Sequence, residues 1–115
     1  MKDRREINIE VFEDTMKNYK SNPTLKAAVS NSVANQKFTA ADETVELPQC
    51  TGYTPTVTVS GKRSLEAAVE YTKQGMKTCV LNFASASNPG GGVTHGSSAQ
   101  EESIYRCSTL YPCHN

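Results

Sequence analysis

Six residues of nearly continuous apolar character, Thr78–Phe83 (TCVLNF), run almost directly into Asn88-Pro89-Gly90-Gly91-Gly92. This junction restricts the fold more than any other feature of the chain. An apolar run of that length suits a strand covered on both faces. Upstream, Thr56–Ser60 (TVTVS) alternates cleanly and reads as a second strand, ended by Gly61. Between them Ser64 is placed to cap a helix, with Glu66 in its first turn, Leu65, Ala68, Val69 and Thr72 on its inner face, and Gly75 closing it. Strand, helix and strand in that order predict a βαβ unit with parallel strands and a right-handed crossover. The expected class is therefore α/β. Thr44–Leu47 reads as a further short strand, and Gln49–Pro55, with Pro48, Gly52 and Pro55 in or beside it, as a loop.

The first third of the chain has a different period. Ile7, Val11, Phe12 and Met16 fall near helical spacing over residues 7–20. Asn22-Pro23 is a helix start, with Asn as cap and Pro at the first helical position, and Leu25, Ala28, Val29 and Val33 continue a second stripe to about Gln36. Two regions follow: a helical accessory region over 1–43 and the α/β portion over 44–115. At 115 residues the chain suits one small domain. Apolar residues make up 37% and Trp is absent, which predicts a thin core. Twelve basic and twelve acidic residues cancel, which argues against indiscriminate nucleic-acid binding. No apolar run approaches a membrane span, and Met1–Glu10 is too charged for a signal peptide, so a cytoplasmic location is the expectation. Cys79 reads as a small buried hydrophobe. Cys50 belongs to no CxxC pair, and Cys107, Cys113 and His114 do not match zinc-ligand spacing, so reduced thiols and no metal are expected.

In open α/β sheets ligands bind beyond the carboxyl ends of the strands, which is where Ala84–Cys107 falls. Gly90, Gly91, Gly92 and Gly96 allow close backbone approach, and Pro89 stiffens the entry. Ser98 and Glu101 stand at capping-box spacing, predicting a helix from about Ser98 with Glu101 and Glu102 in its first turn. A glycine loop entering a helix N-terminus suits a phosphate or ribose. The residue types alone also fit a tight loop with two glutamates complementing the helix dipole. Neither GxGxxG nor GxxxxGK[ST] is present, which argues against NAD or ATP sites of those designs.

Gly90-Gly91-Gly92, seven residues, then Gln100-Glu101-Glu102 resembles the signature of the poly(ADP-ribose) glycohydrolase family. The flanking LNFASASNPGGG and AQEESIYRCSTLY resemble its microbial branch, densely from about Ser64 to Tyr111. The resemblance implies a partial macrodomain-like mixed sheet with flanking helices, preceded by N-terminal accessory helices. It implies hydrolysis of ribose–ribose O-glycosidic bonds, with ADP-ribose or protein-linked poly(ADP-ribose) as partner and no cofactor, metal, nucleic acid or membrane. By position, Glu102 is the catalytic acid, Glu101 its neighbour on the ribose, Asn88 the residue orienting that ribose, Gly90–Gly92 the loop against ribose and diphosphate, and Gln100 the support of the loop–helix junction.

Such hydrolysis passes through an oxocarbenium-like state. A carboxylic acid protonates the leaving oxygen and a carboxylate then activates water, and one glutamate can do both in turn. A helix dipole favours the anion by about 0.3–1 kcal/mol, whereas burial and a neighbouring like charge favour the protonated acid. Successive helical residues point about 100° apart, so Glu101 and Glu102 are expected to differ in role. His95 reads either as a solvated loop residue or a substrate contact, and Arg106 as a phosphate contact or a solvent-facing residue. Tyr105 and Tyr111 read as packing residues. The family's second, diphosphate-binding glycine loop and its adenine-stacking aromatic lie beyond this helix, so the chain resembles the N-terminal portion. It is expected to be inactive alone and to self-associate through an exposed sheet edge. The alternatives are a fragment that binds ADP-ribose without turnover, or a remnant that pairs with another chain.

Overall fold

A computed structural model describes residues 1–49 and 52–115. Cys50 and Thr51, part of the loop expected at 49–55, lie outside the described residues. The order is α1 (Arg4–Ser21), α2 (Pro23–Ala34), α3 (Ser64–Lys73), one 3-10 turn (Val93–His95), α4 (Gln100–Arg106) and α5 (Leu110–His114). The fold among the described residues is helical, and the expected α/β sheet is not formed. None of Thr44–Leu47, Thr56–Ser60 and Thr78–Phe83 is a strand, so neither the βαβ unit, nor the macrodomain-like sheet, nor its exposed edge exists here.

The reason lies in what strand patterning encodes. Alternation and apolar runs specify which faces seek cover, but a ladder also needs a partner for its N–H and C=O groups. No described segment supplies one. Val59 is 94% exposed and Phe83 72%, and Cys79, expected to be buried, is exposed as well. Among the described residues, the only sheet-like pairing of the 78–83 run comes from a side chain. The Gln100 amide accepts from the Phe83 N–H at 2.9 Å and donates to the Leu81 carbonyl at 2.8 Å.

The helices begin and end where local chemistry directs. In α1 the Asp3 carboxylate accepts from the Glu6 N–H at 2.9 Å, and Glu6 accepts from the Asp3 N–H at 3.2 Å. This capping box starts the helix three residues ahead of the expected position. Asn22 serves both neighbours. Its N–H donates to the Tyr19 carbonyl at the end of α1, and its Oδ1 accepts from Thr24 and Leu25 at the start of α2. Gly75, at φ 85°, follows α3 where a left-handed residue was expected.

The core lies where α1, the 3-10 turn, α4 and α5 meet. Phe12, Val93 and Tyr105 form it, with Met16, Leu110 and Tyr111 packed around them. Tyr111 meets the Phe12 ring edge-on at 5.0 Å and the Tyr105 ring at 6.1 Å. The buried face of α1 is rotated from the expected stripe: Asn8 and Phe12 are covered, whereas Ile7 and Val11 are exposed. The radius of gyration, 16.6 Å, exceeds the roughly 13 Å of a compact chain this long. The excess reflects α3 and its flanking segments, which bury no residue fully.

Two consequences follow for stability. Phe12→Ala removes the ring at the centre of the cluster and should cost about 3–5 kcal/mol, read as a fall in the urea midpoint with loss of near-UV circular dichroism. Burial, then the Glu101 carboxylate, raises the Tyr105 phenol above its usual 10.0. The folded state therefore holds that proton more tightly than the unfolded chain. Its stabilising contribution is complete below pH 10 and is lost as pH rises through the folded value. A phenolate difference titration of the native chain against Tyr105→Phe should show late ionisation accompanied by unfolding, and an early phenolate in the folded chain would refute it.

Candidate functional site

The site is the loop Asn88–Gly92 drawn over the first turn of α4. Asn88 clamps the loop at both ends: its carbonyl accepts from the Gly91 N–H at 2.9 Å, and its side-chain amide donates to the Gly91 carbonyl at 2.9 Å. Gly90 and Gly91 take φ of 90° and 54°. The Val93 N–H donates to the Gly90 carbonyl, and the His95 and Ser97 N–H groups both donate to the Gly92 carbonyl. These bonds wind the chain into the 3-10 turn and return it to α4.

Glu101 and Glu102 are both buried, at 5% and 9% exposure, and their carboxylates reach the loop differently. Glu101 accepts from the Ser85 N–H through Oε1 at 2.9 Å and from the Gly90 N–H through Oε2 at 3.1 Å. Glu102 accepts from the Gly92 N–H through Oε1 at 3.2 Å, while its buried Oε2 has no hydrogen-bond partner among the described residues. Hydrogen bonds to a charged acceptor contribute about 1.5–3 kcal/mol each, so the Glu101 carboxylate, with two, is a major tie of an otherwise irregular loop. The capping box expected between Ser98 and Glu101 is not made. Ala99 is the N-cap without a side-chain bond, and helix α4 starts at Gln100. With Ala99 as N-cap, Glu101 stands at the second helical position and not the third, and its carboxylate turns to two loop amides.

The structure thus brings Gly90, Gly91, Gly92, Gln100, Glu101 and Glu102 together, with Asn88 on the exposed side of the loop. Gln100 joins the end of the 78–83 run to the start of α4. His95 is an exposed member of the turn, its carbonyl held by Arg5 at 3.0 Å. Arg106 is 8% exposed and donates to the Ser97 carbonyl at 2.8 Å.

Sequence reasoning missed the part played by α1. Asn8, buried, donates to the Gly96 carbonyl at 3.0 Å, and Thr15 donates to the Arg106 carbonyl at 2.6 Å. At Gly96, φ 80°, an added Cβ would collide with the Arg5 carbonyl, so α1 rests directly on the loop backbone. The one available signal was a polar residue, Asn8, set between Ile7 and Val11. Asn82 was also passed over. Its Oδ1 is a second buried oxygen without a partner.

Gly91 takes a left-handed φ directly against both glutamates. A Cβ there would lie 2.8 Å from Glu102 Oε1 and 2.9 Å from Glu101 Oε1, so even alanine pushes on both carboxylates. Gly91→Ala should cost about 1–2 kcal/mol from its left-handed backbone alone. It should also speed hydrogen exchange at the Ser85, Gly90 and Gly92 amides. Unchanged protection at all three would contradict the geometry.

No characterised protein and no solved structure gives a significant match to the chain. The profile of the microbial-type PARG catalytic domain matches residues 8–115, and so takes in most of α1, the glycine loop and both glutamates. On that match over nearly its whole length, joined to the loop-and-glutamate arrangement, the chain belongs to the microbial-type PARG (poly(ADP-ribose) glycohydrolase) catalytic-domain family.

Proposed function

We propose that this site hydrolyses ribose–ribose O-glycosidic bonds in protein-linked poly(ADP-ribose), releasing ADP-ribose, with Glu102 as acid and then base. One observation carries the assignment within the pair. Both Glu101 oxygens are engaged by loop amides, whereas Glu102 keeps one buried oxygen, Oε2, without a partner. A group that must give up and regain a proton needs such an atom.

In this reading the protonated Glu102 Oε2 transfers its proton to the leaving ribose oxygen as the anomeric C–O bond breaks. The positive charge spreads over the ring as an oxocarbenium ion. The resulting carboxylate then takes a proton from water as the water oxygen bonds to the anomeric carbon, which restores the acid. Glu101 acts as a positioning residue. It fixes Ser85 and Gly90, and through them the loop against which the ribose rests. The Asn88 amide nitrogen is occupied by Gly91, and its Oδ1, which takes no hydrogen bond among the described residues, faces the task of orienting a ribose hydroxyl. Gly90–Gly92 bring the backbone close to the ligand, and Gln100 supports the junction beneath.

Glu102→Gln tests the assignment. Glutamine keeps the shape and the bond from Gly92 but supplies no acidic proton. Release of ADP-ribose from labelled polymer should fall by about 10²–10⁴, with ADP-ribose binding by calorimetry retained. Turnover above a tenth of the native rate would sink the role of Glu102. Binding without any turnover in the native protein would instead identify a recognition module.

A further inference from the structure

The geometry points to a second anion site on the opposite face of α4, shaped for a diphosphate-bearing ligand and separate from the two glutamates. A groove of about 640 Å³ runs between the start of α1, the start of α3 and the face of α4 that carries Gln100, Ser103, Ile104 and Cys107. Four basic residues line it, Arg4, Lys62, Arg63 and Arg106, and no acidic residue does. In a chain whose charges balance overall, this is a local concentration of one sign.

Arg106 gives the groove its purpose. Its residue is more than nine-tenths buried, yet its only side-chain hydrogen bond among the described residues goes to a neutral carbonyl, that of Ser97. No carboxylate pairs with it, nor with Arg4 or Arg63, among the described residues. A guanidinium withdrawn from water without a counter-charge is costly, and its planar fork matches a phosphoryl group. Lys62 is paired with Glu70 and contributes less. Ser64 and Leu65 add the first-turn amides of α3, which have no acceptor inside their own helix, and Ser98 and Ser103 add hydroxyls. The cations come from three different elements, and the volume exceeds one phosphate. Two linked phosphoryl groups therefore fit better than one.

The site does not depend on the glycohydrolase reading, and its test needs no catalysis. The full 115-residue chain would be titrated with inorganic pyrophosphate, and separately with inorganic phosphate, while backbone amide and arginine side-chain NMR signals are followed. Saturable shifts are expected at Arg4, Ser64, Leu65, Ser98, Ser103 and the Arg106 side chain, with pyrophosphate binding more tightly than phosphate. Arg4→Ala with Arg63→Ala, both exposed residues, should weaken pyrophosphate by about tenfold or more through loss of charge-assisted bonds. Shifts confined to residues 88–92, equal response to phosphate, or unaltered affinity in the double variant would each overturn the proposal.

Discussion

The Glu101 carboxylate is the tie on which the site depends. It lies in the first turn of α4, and its two oxygens hold two chain positions distant in sequence, the Ser85 and Gly90 amides. Neither amide belongs to a helix, so without the carboxylate both lose a buried acceptor at once. The remaining contacts follow from that bridge. With Gly90 fixed, the Asn88–Gly91 turn closes, Gly92 comes within reach of Glu102, and Val93 enters the core beside Phe12 and Tyr105.

Helix α1 completes the arrangement from the other side. Its contacts with the loop and the end of α4 are polar and backbone-directed: Arg5 to His95, Asn8 to Gly96, Thr15 to Arg106. Phe12, one turn beyond Asn8, adds the apolar contact with Val93 and Tyr105. The helix is consequently a floor under the loop. A side chain at Gly96 would lift α1 away and take three of those bonds with it.

Much of the site was readable from residue types, because its chemistry is local. Glycines that need positive φ, glutamates seven or more residues beyond them, and an Asn before a Pro are statements about short stretches of chain, and the structure brings those residues to one place. The sheet was not readable in the same way. Val57, Val59, Leu81 and Phe83 carry a strand's pattern, yet they are exposed here, because pairing is a property of two segments and not of one. The face of α1 was misjudged for a related reason. Ile7 and Val11 outrank Asn8 in hydrophobicity, but the Gly96 carbonyl needed a donor, and that requirement turned Asn8 inward. The Ser98–Glu101 capping box failed by register, since the helix starts one residue later, with Ala99 as N-cap, and Glu101 turns to the loop amides instead.

Helix α4 has only seven residues, and nearly every one is committed to a different task. The 100° step between neighbours sends Glu101, Glu102 and Tyr105 towards the loop and core, and Gln100, Ser103, Ile104 and Cys107 towards the basic groove. Arg106 lies between the two sides. It lines the groove and also fixes Ser97, the residue through which the glycine turn returns to the helix. The two faces are thereby joined through one guanidinium. An anion drawing Arg106 further into the groove would strain the Ser97 bond and, through the Ser97 N–H to the Gly92 carbonyl, reach the residue whose own N–H holds Glu102. A helix this short has no interior to absorb such a shift, so whatever fills one face bears on the geometry of the other.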